Sequence, residues 1–281
     1  MIVRSRSERR AVWLVSRTGL FLLLIWALGP VFWILVTALK TSKEIYAFPP
    51  TFLPVDPTLE NFDKALFGSP FPGFVWNSVV VAVSVTLISI VIGALAAYAI
   101  ARMNFPGRPA AARALVMSYL MPPALIFIPL FLVLQYAGLI DTRTGLVVAY
   151  LTFTVPFCTW MLIGYFRTIP RDIDEAARID GAGALRTLGE IILPLALPGL
   201  AVVGLFAFTH AWNEFLFALV YVYSADTQTF TAGLAGLVLG DTFIWGQLMA
   251  SSIIAILPIF LIYIGAQRFL VEGLAAGSVK G

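Results

Sequence analysis

The longest charged stretch of this chain runs from Pro170 to Pro198 and lies between two apolar segments. Glu175-Ala176-Ala177-Arg178 favours the start of a helix, and Gly181 is expected to end that helix. Pro194 marks the entry into the next apolar run. A short polar helix on the water side, tied at both ends to apolar spans, has the residue types to dock on a soluble partner and to move those spans.

A second candidate site surrounds His210, which is the single histidine of the chain, and Glu214. The i, i+4 spacing lets these two side chains share a helix face. Two ligands leave a metal site incomplete, so no metal site is predicted. A carboxylate inside an apolar span is costly and tends to face a cavity or a partner. Trp212, Asn213, Glu214 and Phe215 are therefore predicted to line a pathway or to contact another membrane chain, although the two aromatic residues are most simply explained by packing.

Other chemistry is missing from the sequence. No G-x-x-x-x-G-K-[ST] phosphate loop is present, and none of the four lysines follows a glycine, so the chain is not expected to bind ATP by itself. A single histidine excludes an H-E-x-x-H zinc site, and no nucleophile triad has support. The one cysteine, Cys158, lies in an apolar span and predicts neither a disulfide framework nor a thiolate metal site. We predict no catalytic residue, no bound cofactor and no enzyme activity.

The elements that must position these residues are membrane spans. Hydrophobic residues make up 60% of the chain and charged residues 12%, against roughly 25% charged residues in a soluble domain. The net charge of +3 is small and spread over loops, so nucleic acid is not implied. Six stretches each provide the roughly 20 apolar residues that a crossing needs. The predicted spans lie near 18–39, 74–100, 114–137, 145–166, 194–222 and 244–266, with the charged loop at 167–193. The predicted fold class is an all-α integral membrane protein with one domain over residues 1–281.

Basic residues predict the orientation of the spans. Six crossings place both termini on one side. If that side is the cytoplasm, the inner segments hold 14 Lys and Arg residues and the outer segments hold 4. The positive-inside rule then places both termini and the charged loop in the cytoplasm. The first apolar run is too long for the core of a signal peptide, so we interpret it as an uncleaved span.

Several motifs resemble one family of transport proteins. Glu175-Ala176-Ala177, Asp180-Gly181-Ala182 and Ile191-Ile192-Leu193-Pro194 resemble the E-A-A motif of permease subunits of bacterial binding-protein-dependent ABC importers. Four further segments narrow the resemblance to the MalG-type carbohydrate permeases: Ala97-Tyr98-Ala99-Ile100-Ala101-Arg102, Phe105-Pro106-Gly107-Arg108, Trp212-Asn213-Glu214-Phe215-Leu216 and the tail 273–281. The resemblance covers essentially the whole chain. It implies the type I (MetI-like) ABC importer fold, with a cytoplasmic coupling helix in the loop 167–193.

The resemblance also implies partners and a mechanism. A second, MalF-like permease would complete the pathway, two cytoplasmic ABC ATPase subunits would bind ATP and Mg, and an extracytoplasmic protein would deliver the sugar. The chain would lie in a bacterial inner membrane, and closure of the ATPase dimer would drive alternating access through the coupling helices. The implied cargo is a mono-, di- or oligosaccharide. Glycerol-3-phosphate or a related polyol phosphate is the alternative, which the lack of intramembrane basic residues disfavours.

The same resemblance implies roles for individual residues. The residues assigned to coupling with the ATPase are Glu175, Ala176, Ala177, Arg178, Asp180, Gly181, Leu188 and Pro194. Glu175 is expected to pair with a basic residue of the ATPase or to stabilise the helix N-terminus. Asp180 and Gly181 are expected to shape the turn, since glycine permits a left-handed conformation. Leu188 and Glu190 depart from the family, which usually has an aromatic and a basic residue there. The tail residues Ser278, Val279 and Lys280 are assigned to contact with the ATPase, although ordinary flexible termini look similar.

Overall fold

The structure, a computed structural model, describes residues 6–239 and 242–278, and almost all of its regular structure is helical. Helices α1–α7 are Arg6–Ala38, Ser42–Ile45, Glu60–Leu66, Phe71–Arg102, Arg108–Leu120, Pro123–Tyr136 and Arg143–Phe166. Helices α8–α14 are Asp172–Ile179, Ala184–Arg186, Leu193–Leu195, Leu197–Asn213, Leu216–Tyr221, Phe230–Ala235 and Trp245–Ser278, with a π-helical turn at Thr187–Ile192. Strands β1 (Val238–Leu239) and β2 (Thr242–Phe243) pair in one small antiparallel hairpin.

Four helices in the described residues are long and apolar enough to cross a membrane: Val12–Ala38, Phe71–Arg102, Arg143–Phe166 and Trp245–Gln267. Two bent pairs of helices pass the same test. The pair of α5 and α6 is bent by 97°, and the pair Ala184–Leu195 and Leu197–Asn213 by 84°. Length and composition therefore allow up to six crossings, if each bent pair forms one span.

The third predicted span, 114–137, is not one straight helix. The chain bends between α5 and α6 at Met121, whose ψ of 124° is extended. A residue before a proline is pushed out of the helical region, and Pro122 follows directly. Pro123 then starts α6, because proline is tolerated in the first helical turn. Two adjacent prolines thus divide an apolar stretch whose hydrophobicity alone predicted a single helix.

The fifth predicted span, 194–222, is also interrupted. The first break lies at Ala196, between α10 and α11, next to Pro194 and Pro198. The second lies at Glu214 and Phe215, where Glu214 has an extended ψ of 129°. The sequence placed Glu214 inside a continuous span, and the structure corrects this, because the helix stops there and begins again at α12.

The chain forms two compact units. Within the described residues, one unit contains residues 6–70, 236–239 and 242–254, and the other contains residues 71–235 and 255–278. In the first unit, the side-chain amide of Asn61 donates to the carbonyl oxygens of Ala38, at 2.9 Å, and of Lys40, at 2.8 Å. These bonds fasten α3 to the end of α1.

The second unit is built around the close packing of α4 and α7. A Cβ atom on Gly93 would lie 3.3 Å from the Cβ of Cys158, so only a glycine fits there without displacement of a neighbour. The hydroxyls of Ser89 and Thr154 share a buried hydrogen bond of 2.8 Å. Small residues at such positions let two apolar helices approach each other. Leu188 and Ile192 of the charged stretch pack in the same core, and this packing holds the stretch against the long helices.

Candidate functional site

The charged stretch begins with α8, whose two ends follow from its sequence. Three carboxylates occupy its first turn, where the helix dipole favours negative charge. At its end Gly181 adopts a φ of +76°. The backbone N–H of Gly181 donates to Arg178 at 3.0 Å, and that of Ala182 donates to Ala177 at 2.9 Å. These two bonds form a Schellman motif, which satisfies the last carbonyl groups of a helix. The predicted short helix that ends at Gly181 is therefore present.

One face of the charged stretch is open to solvent. Of the residues assigned to coupling, the exposed ones are Glu175, Ala176, Arg178, Asp180, Gly181 and Pro194. Two large apolar side chains lie beside them, Ile179 at 86% exposure and Leu185 at 75%. A surface on which charged residues surround exposed apolar side chains is typical of a site of protein contact.

Ala177 and Leu188 lie on the opposite side of the stretch. Ala177 is 3% exposed and Leu188 is 4% exposed. Leu188 packs in the core of the second unit together with Phe166 and Ile192. Both side chains are covered by the chain itself, so they hold the stretch against the core.

The link between α8 and the long helices uses two residues to which the sequence analysis gave no role. Nη1 of Arg102, at the end of α4, lies 3.1 Å from Oδ2 of Asp174, and the two side chains are only 4% and 11% exposed. Nη2 of Arg102 also donates to the carbonyl oxygens of Phe166, at 2.6 Å, and Ile169, at 2.7 Å. One guanidinium therefore joins α8 to the ends of α4 and α7. The sequence does indicate on which side of α8 Asp174 lies. Asp174 comes three residues before the small residue Ala177, so the two residues share one face of α8.

Glu190 finds a partner within the chain. Its carboxylate lies 2.8 Å from Nε of Arg186, and both side chains are more than half exposed. The hydrogen bond that Arg186 donates to Glu190, together with the negative charge of Glu190, raises the pKa of Arg186. An exposed i, i+4 pair of this kind adds little stability.

Glu214 serves as a cap at the break between α11 and α12. Its carboxylate oxygens accept hydrogen bonds from the backbone N–H groups of Phe217 and Ala218, each at 3.1 Å. The first N–H groups of a helix have no partner within that helix, and an acceptor just before it satisfies them. The carboxylate that the sequence assigned to a pathway or a contact therefore has a structural role in capping α12.

A cavity of about 440 Å³ lies beside this break. Its lining residues are Phe206, Thr209, His210, Asn213, Glu214 and Phe215. Three of the four predicted residues of the second site thus face one space. The fourth, Trp212, is 2% exposed and packs between the rings of Phe208 and Phe230, so packing accounts for it. Within residues 6–239 and 242–278, no group of three His, Cys, Asp or Glu side chains could hold a metal ion.

The predicted tail site falls largely outside the described residues. Ser278 is the last residue of α14. Val279 and Lys280 lie beyond the part of the chain that the structure describes.

The other end of α7 is fastened by Asp141, which the sequence analysis also left without a role. Its Oδ1 accepts from the backbone N–H groups of Tyr223 and Ser224, each at 3.0 Å, and from the Thr227 hydroxyl at 2.6 Å. The Ser224 hydroxyl donates to Oδ2. Slight burial acts to raise the pKa of Asp141, but the donors from Ser224, Thr227 and Tyr223 outweigh it and lower the pKa to about 2. The loop after α12 is thereby attached to the start of α7.

Comparison with known proteins places this architecture in a family. The family model described as the inner membrane component of binding-protein-dependent transport systems matches residues 89–275, which include both candidate sites. The chain is 38% identical to the inner membrane ABC transporter permease protein YcjP of Escherichia coli over 94% of this chain and 95% of that protein. It is 35% identical to the trehalose/maltose transport system permease protein MalG of Thermococcus litoralis, over 94% and 95% respectively.

A third relative is the sulfoquinovosyl glycerol transport system permease protein SmoH of Agrobacterium fabrum, at 36% identity over 92% of this chain and 91% of that protein. Among solved structures, the crystal structure of a bacterial ABC transporter involved in the import of the acidic polysaccharide alginate matches with a TM-score of 0.82. That match has 22% identity and covers 96% of this chain and 100% of the other, and it confirms the predicted all-helical ABC importer fold. The chain belongs to the family of inner membrane components of binding-protein-dependent transport systems.

Proposed function

We propose that this chain is the permease subunit of an ATP-driven importer of a sugar, and that α8 with its glycine turn receives the movement of a cytoplasmic ATPase. The observation that carries the proposal is the structure of the charged stretch. Its exposed face offers Glu175, Arg178, Ile179 and Leu185 to a partner. Its inner face is bound to the long helices, so a force on the exposed face reaches the spans.

The energy source belongs to a partner. The sequence has no phosphate loop, so ATP and Mg are proposed to bind to two ATPase subunits and not to this chain. A second, MalF-like permease and an extracytoplasmic sugar-binding protein complete the proposed assembly. The membrane is a bacterial inner membrane, and the excess of basic residues on one side supports a cytoplasmic position for both termini and for α8.

The proposed cargo is a carbohydrate. Relatives of this chain are named as permease proteins of trehalose/maltose, diacetylchitobiose and sulfoquinovosyl glycerol transport systems. The cavity beside Glu214 combines aromatic rings with hydrogen-bonding groups, and its lining includes a carboxylate but no Lys or Arg. A lining of this kind suits the hydroxyl groups and the apolar ring faces of a neutral sugar better than a phosphate. We propose that Asn213, Glu214 and Phe215 line the translocation pathway on this side.

The docking surface can be tested by co-purification. The chain is produced with its partner permease and ATPase, and retention of the ATPase on the tagged permease is measured. Ile179→Ser with Leu185→Ser removes the two exposed apolar side chains and is expected to release the ATPase. The matched control is Tyr223→Ser, which removes a large exposed side chain from the loop after α12 and should leave retention unchanged. Equal retention by both variants, or sugar transport by the permease without an ATPase, would contradict the proposal.

A further inference from the structure

We propose that Arg102 is a positioning residue for energy coupling: its guanidinium makes α8 move as one body with the ends of α4 and α7. The inference rests on the proposed function, because it assumes that α8 receives a force. It assigns the transmission of that force to one buried side chain on a different helix.

The geometry of the guanidinium supports this role. Its Nη2 donates to the carbonyl oxygens of Phe166 and Ile169, and its Nη1 lies 3.1 Å from the carboxylate of Asp174 in an ion pair. The planar fork of arginine can hold several acceptors in fixed directions, which the single ammonium of lysine cannot do. Ile169 belongs to the short link between α7 and α8 and is itself buried, at 9% exposure. The link is thus fixed at its middle, and α8 cannot swing freely about the end of α7.

Burial makes this attachment stronger than a surface contact. Both charged side chains are almost covered, so the pair is little weakened by water or salt. Apolar residues of similar volume often replace a buried ion pair without loss of stability. Stability alone therefore does not require charges here, whereas the direction and rigidity of the link do.

Arg178 shows how the link could fail while α8 stays folded. It lies four residues after Asp174 on the same helix, and it lines both small cavities, of about 100 and 180 Å³, that border the pair of Arg102 and Asp174. Without Arg102, the i, i+4 spacing lets the guanidinium of Arg178 pair with the carboxylate instead. That exchange would satisfy Asp174 within α8 and would leave α8 detached from α4 and α7.

The test uses the complete transporter reconstituted in liposomes, with its ATPase, second permease and binding protein. The measured quantity is the amount of sugar taken up for each ATP hydrolysed. The double variant Arg102→Met with Asp174→Leu keeps an apolar filling in place of the ion pair. We expect it to assemble and to hydrolyse ATP, but to transport about 2- to 30-fold less sugar for each ATP, as for changes at residues that couple two sites. The matched control is Arg113→Gln, an exposed arginine of α5, with wild-type coupling expected.

The outcomes separate this inference from the proposed function. Wild-type coupling in the assembled double variant would show that the pair only fills space, and would overturn the inference. Failure of the wild-type chain to retain an ATPase would overturn the proposed function instead. If the double variant does not assemble, coupling is measured in Arg102→Lys instead. Lysine keeps the positive charge but lacks the planar fork of arginine, so we expect reduced coupling. Unchanged coupling in Arg102→Lys would overturn the proposed role of the fork.

Discussion

The two ends of α7 are each fastened by one carboxylate, but the donors differ. After the C-terminal end, Asp174 is paired with a buried guanidinium. Before the N-terminal end, Asp141 accepts hydrogen bonds from neutral hydroxyl and backbone N–H groups. Helix α7 has 24 residues and is about 36 Å long, which exceeds the roughly 30 Å of a hydrocarbon core. The two attachments thus lie near opposite surfaces of the proposed membrane domain.

The difference between the donors bears on what each attachment can do. A buried ion pair holds its geometry firmly, since neither partner can be left alone without a large cost. A carboxylate with several neutral donors near water loses its bonds one at a time, because water can replace each donor. The first arrangement suits a segment that must transmit a force, and the second suits a surface loop that must only be kept in place.

Asp174→Asn should have the largest effect, because it leaves the guanidinium of Arg102 buried without a charged partner. The expected loss is about 3–5 kcal/mol of unfolding free energy. The melting temperature of the purified chain in detergent is the measurement. Asp172→Asn, at an exposed carboxylate of the same helix turn, should melt like the wild type. An unchanged melting temperature for Asp174→Asn would make the two ends of α7 energetically alike.

Gly181→Pro should disturb the same end of α7 with a smaller loss of stability and a large loss of transport. Proline cannot adopt the φ of +76° and removes the N–H group that donates to Arg178. Strain of this kind costs about 1–3 kcal/mol. Uptake should therefore fall sharply while the chain remains in the membrane. Gly183→Ala is the control, because Gly183 has an ordinary φ of −74° and open space around it. Normal ATP-dependent uptake with Gly181→Pro would argue against the role of α8.

Asp141→Asn should have a milder effect, of about 1 kcal/mol, because water can reach the loop. The pKa of the folded-state carboxyl is about 2, below its usual 3.8, so the charged form is stabilised by folding. This contribution is present above about pH 4 and is lost as the pH falls toward 2. The difference in melting temperature between the wild type and Asp141→Asn should shrink over that range. A difference that stays constant from pH 6 to pH 2.5 would show that the carboxylate does not fasten the loop.

Glu214→Gln should change stability least, by less than about 1 kcal/mol, because the amide oxygen can still accept from the N–H groups of α12. A change in the apparent affinity or rate of sugar uptake is expected, since the side chain lines the cavity beside the break. Glu190→Gln, at an exposed surface pair, serves as the control. Uptake kinetics equal to the wild type would remove Glu214 from the pathway and leave it only as a cap.

The sequence predicted the features that depend on neighbouring residues. Long apolar stretches predicted helices that could cross a membrane, and the glycine at 181 predicted the end of α8, which its φ of +76° confirms. The E-A-A motif predicted the family, which the family model confirms. Ala177 and Leu188, which the motif assigned to coupling, are buried, because a motif gives residue types without showing which of them face inward.

Three features were decided only by the tertiary structure. The pairing of Arg102 with Asp174 brings together residues from distant parts of the chain, and the close approach of α4 and α7 determines which carboxylate the arginine meets. The attachment of Asp141 to the loop after α12 depends in the same way on long-range packing. The break at Glu214 lies in an apolar stretch that hydrophobicity alone predicts as continuous. Hydrophobicity and turn residues act locally and can be read along the chain, whereas a charge finds its partner only once the helices have packed.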